Sequence, residues 1–153
     1  MNLFKKAIEL QIVENMEALA QLKELSYPVW VDPFPISMNS PTPLSHKGKK
    51  RHGVYKISHI DDLETALVIG EGVIINRKCR HTFIFENKGK SVLHTGGSSS
   101  GCQTAAKMYN HDPEIDNWYM SWCELPKTIS VKYEVVLIRE LKPEFNLQCM
   151  AGI

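Results

Sequence analysis

Residues 53–81 constrain this chain more than any other stretch. The run Gly53-Val54-Tyr55-Lys56-Ile57-Ser58-His59 is rich in β-branched and aromatic residues, and so is Leu67-Val68-Ile69, with the acidic pair Asp61-Asp62 between them. Such runs suit a pleated, half-buried surface, so two strands are expected. Gly70 and Gly72 then loosen the backbone, and a helix is predicted over residues 73–81. On that helix Arg77 and His81 stand four apart on one face, where a guanidinium and an imidazole can act together.

At 153 residues the chain fits one domain large enough for a real core. It carries 18 Lys and Arg against 17 Asp and Glu, a formal net charge of +1. A polyanionic partner must therefore be met by a local patch rather than by the whole surface. Apolar runs such as Val135-Val136-Leu137-Ile138 are too short to span a bilayer, and no signal-peptide pattern opens the sequence, so no membrane partner is expected. Cys79, Cys102, Cys123 and Cys149 lack C-x-x-C spacing. That argues against a zinc site or a disulfide framework and for a reducing, intracellular setting, cytoplasmic or nucleoid-associated.

Residues 2–25 are patterned as an amphipathic helix, with Phe4, Ile8, Ile12, Met16, Leu19 and Leu22 at three- and four-residue steps. Such a helix either packs on the main domain or offers a face for a homodimer. Pro28, Pro33, Pro35, Pro41 and Pro43 mark residues 28–45 as an extended arm, pinned to the domain by Trp30, Phe34 and Ile36. Residues 1–50 thus read as a helix and arm added to a domain of residues 51–153. The densest positive charge, His46-Lys47-Gly48-Lys49-Lys50-Arg51-His52, follows the arm. It is either a solvated loop or a phosphate contact.

Beyond residue 81, Phe83 and Phe85 suggest a return to the core. The piece Gly96-Gly97-Ser98-Ser99-Ser100-Gly101 precedes a predicted helix at 103–110 and reads as a capped loop or an anion site. His111, Asp112, Glu114 and Asp116 crowd together, but their spacing fits no metal-loop pattern. Trp118, Met120 and Trp122 alternate onto one face of a third strand, which Pro126 stops. The last segment is predicted to be a helix with Val131, Val135 and Ile138 as its apolar stripe, widened by Leu137 and Leu141, and ended by Pro143. Glu134 lies on or beside that stripe. A carboxylate there has to be paired with a cation such as Lys132 or Arg77, hydrogen-bonded, or metal-bound.

Taken in order, Gly53-Val54-Tyr55, then Val68-Ile69-Gly70, then Arg77-x-x-x-His81, then Glu134-Val135-Val136-Leu137-Ile138 and Lys142-Pro143-Glu144-Phe145-Asn146, the chain resembles the GIY-YIG endonuclease family across roughly residues 53–147. The resemblance implies an α+β fold: a small, mainly antiparallel three-stranded sheet (about 53–59, 66–70 and 117–124) flanked by helices. It implies hydrolysis of phosphodiester bonds in DNA, with the double-stranded form as the expected substrate and one divalent ion, Mg2+ or Mn2+, on Glu134. Arg77 would face the charge developing on the phosphoryl oxygens, and His81 or Tyr55 would handle the proton. Gly53, Gly70 and Asn146 would shape and orient the site. Lys47, Lys49, Lys50, Arg51 and Arg80 would contact backbone phosphates.

Two positions depart from the family pattern. Val68 stands where the second tripeptide begins with tyrosine, and Glu71 follows where a lysine is common. The alternative is therefore a catalytically impaired domain on the same scaffold that binds nucleic acid or protein.

Overall fold

The computed structural model describes residues 28–88 and 100–146. The helix expected at 2–25 and the loop expected ahead of residue 100 lie outside the described residues. The fold is α+β, and its main sheet is antiparallel throughout. In chain order the elements are β1 (Phe34–Pro35), β2 (Ser45–His46), β3 (Lys49–Lys50), β4 (His52–His59), β5 (Val68–Val73), α1 (Ile74–Glu86), α2 (Ser100–His111), a 3₁₀ turn (Ile115–Asn117), β6 (Trp118–Glu124) and α3 (Lys127–Leu141).

The main sheet has the order β1-β6-β4-β5, and β2 with β3 makes a separate ribbon. The three expected strands are present, but the sheet has four. The proline arm supplies the extra one, with Phe34 opposite Met120 and Pro35 opposite Tyr119. An edge position suits Pro35, which has no N–H to give a ladder. The second strand starts two residues later than expected and runs through Gly72 to Val73. The first helix continues past His81 to Glu86, so Phe83 and Phe85 are helical rather than part of a chain returning to the core.

Side-chain alternation along the sheet divides the interior in two. Val54 faces Glu71 and Cys123 across the ladder, and Lys56 faces Ile69 and Ser121. On this side Val54, Ile69, Cys123 and Leu125 pack against Ile129, Tyr133 and Leu137 of α3. On the other side Tyr55, Ile57, Val68, Trp118, Met120 and Trp122 pack with Ile74 of α1 and Met108 of α2. Phe34 and Ile36 belong to that second core. The arm is therefore built into the interior and does more than rest on the surface.

The buried face of α3 differs from the expected stripe. Ile129, Ser130, Tyr133, Val136 and Leu137 are buried, whereas Val131, Val135 and Leu141 are among the exposed apolar residues. Ser130 tolerates burial because its hydroxyl lies 3.1 Å from both the Leu125 and Pro126 carbonyls, so its polar atom is satisfied. Tyr133 supplies the large side chain for the sheet, and the helix turns to bury it.

Candidate active site

Gly70 sits on β5, the outermost strand, directly opposite Tyr55 on β4. A Cβ at position 70 would collide with the Tyr55 hydroxyl and ring. The phenol therefore lies across Gly70, on the edge strand of the sheet. Two residues on, a Cβ at Gly72 would collide with the Arg77 guanidinium. Gly72 also holds φ +141°, which a side chain rarely adopts. The two glycines thus make room for the two functional groups behind them. Gly53 has a structural reason of its own, since a Cβ there would run into the Cys123 carbonyl of the neighbouring strand.

Tyr55 is 3% exposed. Burial pushes its phenol well above the ordinary range, and the Arg77 guanidinium only partly offsets this, with Glu134 adding to the rise. His81 packs edge-on against the Tyr55 ring, with centroids 5.5 Å apart at 75°. It is fully buried. Its Nδ1 is 2.9 Å from the Arg77 carbonyl and its Nε2 is 3.3 Å from the Thr104 hydroxyl. A carbonyl can only accept, so Nδ1 carries the proton and Nε2 accepts from Thr104. Burial, reinforced by the charges of Arg80 and Arg77, draws the imidazole down to about 4, so it is neutral at physiological pH.

Glu134 reaches the rim from α3, on the opposite face of the sheet. Burial pushes its carboxyl up to about 7, and the Glu71 carboxylate adds to the rise. Arg77 and a hydrogen bond from the Glu71 backbone N–H pull the other way. Glu134, Arg77 and Tyr55 therefore lie within one another's field, although they come from α3, α1 and β4. Asn146 holds the strand beneath them. Its Oδ1 accepts from the Ile69 N–H and its Nδ2 donates to the Ile69 carbonyl, both at 2.8 Å.

Two residues of this neighbourhood, Glu71 and His52, have no role assigned by sequence alone. Glu71 shares the α3 face with Val54 and Ile69, and strand alternation is the signal that places it beside Glu134. One of its oxygens, Oε2, lies 3.1 Å from His52 Nε2. The oxygen is buried, and the contact is an ion pair when the imidazole is protonated. His52 is held from behind, its Nδ1 being 3.3 Å from the Ser130 hydroxyl and 3.4 Å from the Leu125 carbonyl.

The expected phosphate-contacting residues divide. Lys47, Lys49 and Lys50 are exposed on the β2–β3 ribbon. Arg51 is half-buried, with Nε 3.7 Å from a Glu124 carboxylate oxygen. Arg80 is half-buried on α1, and its charge acts on Tyr55 and His81. Val68 is 1% exposed within the second core, far from offering a hydroxyl.

Among the described residues no group of three or more His, Cys, Asp or Glu side chains is arranged to hold a metal. The donors at the rim nevertheless suit a hard divalent ion that keeps most of its waters. Glu134 offers carboxylate oxygens, and the Glu71 carboxylate adds negative potential beside them. No family model, curated protein or solved structure matches this chain.

Proposed function

We propose that the protein is a GIY-YIG-type endonuclease that hydrolyses phosphodiester bonds in DNA with one Mg2+ or Mn2+ ion on Glu134. One observation carries the reading: Tyr55, Arg77 and Glu134 are gathered at the rim of β5 from three separate elements, with His81 behind Tyr55. Structural ion pairs rarely need a phenol, a guanidinium and a carboxylate together at a sheet edge, whereas phosphoryl chemistry uses all three.

A divalent ion held by Glu134 would supply Lewis-acid polarisation and neutralise charge on the phosphate. Arg77, with its planar fork over Gly72, meets the negative charge that develops on the non-bridging oxygens. Tyr55 places a hydroxyl at the rim, where it orients the attacking water or takes its proton. Its buried phenol resists ionisation on its own, so the second role depends on added positive charge at the rim. His81 is a positioning residue in this scheme: both ring nitrogens are engaged, and its ring fixes the plane of Tyr55.

A second reading has one observation in its favour. Val68 puts a core aliphatic where the family's second tyrosine would stand, which suits a domain that binds nucleic acid or protein without cutting. Incubating purified protein with supercoiled plasmid and Mg2+ or Mn2+ separates the two. Nicked or linear product is expected, with Glu134→Ala and Arg77→Ala slowing by roughly 100-fold or more while keeping the wild-type far-UV spectrum. Intact plasmid with both metals, from mildly acidic to mildly alkaline pH, would favour the binding module.

A further inference from the structure

We propose that residues 44–51 form a preformed β-ribbon that enters a groove of B-form duplex DNA beside the rim site, an inference that rests on the nuclease reading above. The ribbon is ordered by its own backbone. Ser45 pairs with Lys50 and His46 with Lys49, and the Arg51 N–H donates to the Leu44 carbonyl at 2.9 Å. Its two-residue tip, Lys47-Gly48, has φ values of +50° and +77°. Positive φ at both central residues is the mark of a type I′ turn, whose twist matches that of paired strands. A lysine occupies a left-handed position that asparagine or glycine adopts more readily.

Charge is distributed on the ribbon in a way that suits a groove. Residues 45–50 are all exposed, and no Asp or Glu occurs between Asp32 and Asp61. Strand alternation puts Lys50 with Ser45 on one side and Lys49 with His46 on the other, while Lys47 stands at the tip. A flat run of phosphates would be met by cations on one side only. A groove has phosphates on both walls and is met by cations on both sides. The major groove of B-form DNA, about 12 Å wide, admits a two-stranded ribbon. The deep, narrow major groove of A-form RNA does not.

The base of the ribbon is fastened next to the site. The Arg51 carbonyl accepts from the Ile74 N–H at 3.0 Å, and Lys50 Nζ is 3.5 Å from Asn76 Oδ1. These hydrogen bonds join the ribbon to the first turn of α1, the helix that carries Arg77. A duplex seated on the ribbon is thereby held with its backbone beside that guanidinium.

The test measures binding of the full-length protein, in chelator so that nothing is cut, to a short DNA duplex of about two helical turns, its RNA counterpart and one single strand. The DNA duplex is expected to bind roughly 10-fold tighter than the other two, or more. Lys47→Ala/Lys49→Ala/Lys50→Ala should abolish that preference and reduce the slope of log affinity against log salt by roughly 0.9 for each phosphate no longer neutralised. Gly48→Val meets no neighbour within 4 Å of its Cβ but cannot comfortably hold φ +77°, so it alters shape at constant charge. It should also lose the duplex preference, and Gly48→Asn, which tolerates that φ, should keep it. A Gly48→Val protein that retains the preference, or a triple variant with the wild-type salt slope, would overturn the ribbon even if plasmid is still cut. A wild type that binds none of the three ligands and leaves plasmid intact would remove the nuclease reading together with it.

Discussion

Glu134 and His81 respond to pH in opposite senses, and the difference gives a test of the site without any substrate. Glu134 has its carboxyl raised from the ordinary 4.5 to about 7. Between those values the folded protein keeps a proton that the unfolded chain releases, so this group draws stability down as pH rises through the window. His81 is drawn from 6.5 to about 4. Between those values the unfolded chain binds a proton that the folded protein refuses, so its contribution is present above the upper value and is lost as pH falls toward the lower one. Glu134→Gln removes only the first effect. Measured by calorimetry in chelator, the Tm of the variant relative to wild type is expected to rise from about pH 5 to about pH 8. A difference that stays constant would mean a carboxyl in ordinary solvent. At this scale the sequence was partly readable. Arg77 and Glu134 stand out by type and spacing, Tyr55 by its place in a strand, and Asn146 only through the family resemblance. The pairing of Glu71 with Glu134 was hidden, because it depends on which face of β5 meets α3.

The rim of β5 is governed by the elements that reach it. Toward its start, Asn146 pairs with both polar groups of Ile69, and the Phe145 N–H donates to the Leu67 carbonyl at 3.0 Å. The segment after α3 thus covers one stretch of an edge that would otherwise invite another strand. Asn146→Ala removes two hydrogen bonds from backbone groups and is expected to cost about 1–3 kcal/mol in urea unfolding. A loss below roughly 0.5 kcal/mol, the level of an ordinary surface change, would show that water replaces the amide at no cost. The helix α3 shows where pattern reading fails. Counting aliphatic residues selects Val131 and Val135, yet Tyr133 and Ser130 are the ones buried. A tyrosine offers more area than a valine, and a serine whose hydroxyl finds carbonyls behaves as a small core residue. The strand at 118–124 was legible because Trp118, Met120 and Trp122 recur at every second position, and the strand at 52–59 because of its β-branched and aromatic run, which suits a strand buried on both faces. The two-residue β1 was not, since its pairing joins Phe34 to Met120, far along the chain.

On the scale of the whole molecule, the arm and the domain share one interior. Ile36 is 0% exposed and lies with Trp118 and Met120 in the core beneath α1 and α2. Ile36→Ala is expected to destabilise the protein by about 2–5 kcal/mol, read from chemical denaturation. A loss under roughly 1 kcal/mol would mark the arm as detachable. Among the described residues no helix is long and apolar enough to cross a membrane. The two halves of the rim rest on different foundations: Tyr55 and His81 on the layer with α1 and α2, Glu134 on the layer with α3. A lineage carrying this architecture can therefore alter either half by a single replacement at the sheet's border while both interiors go on folding as before.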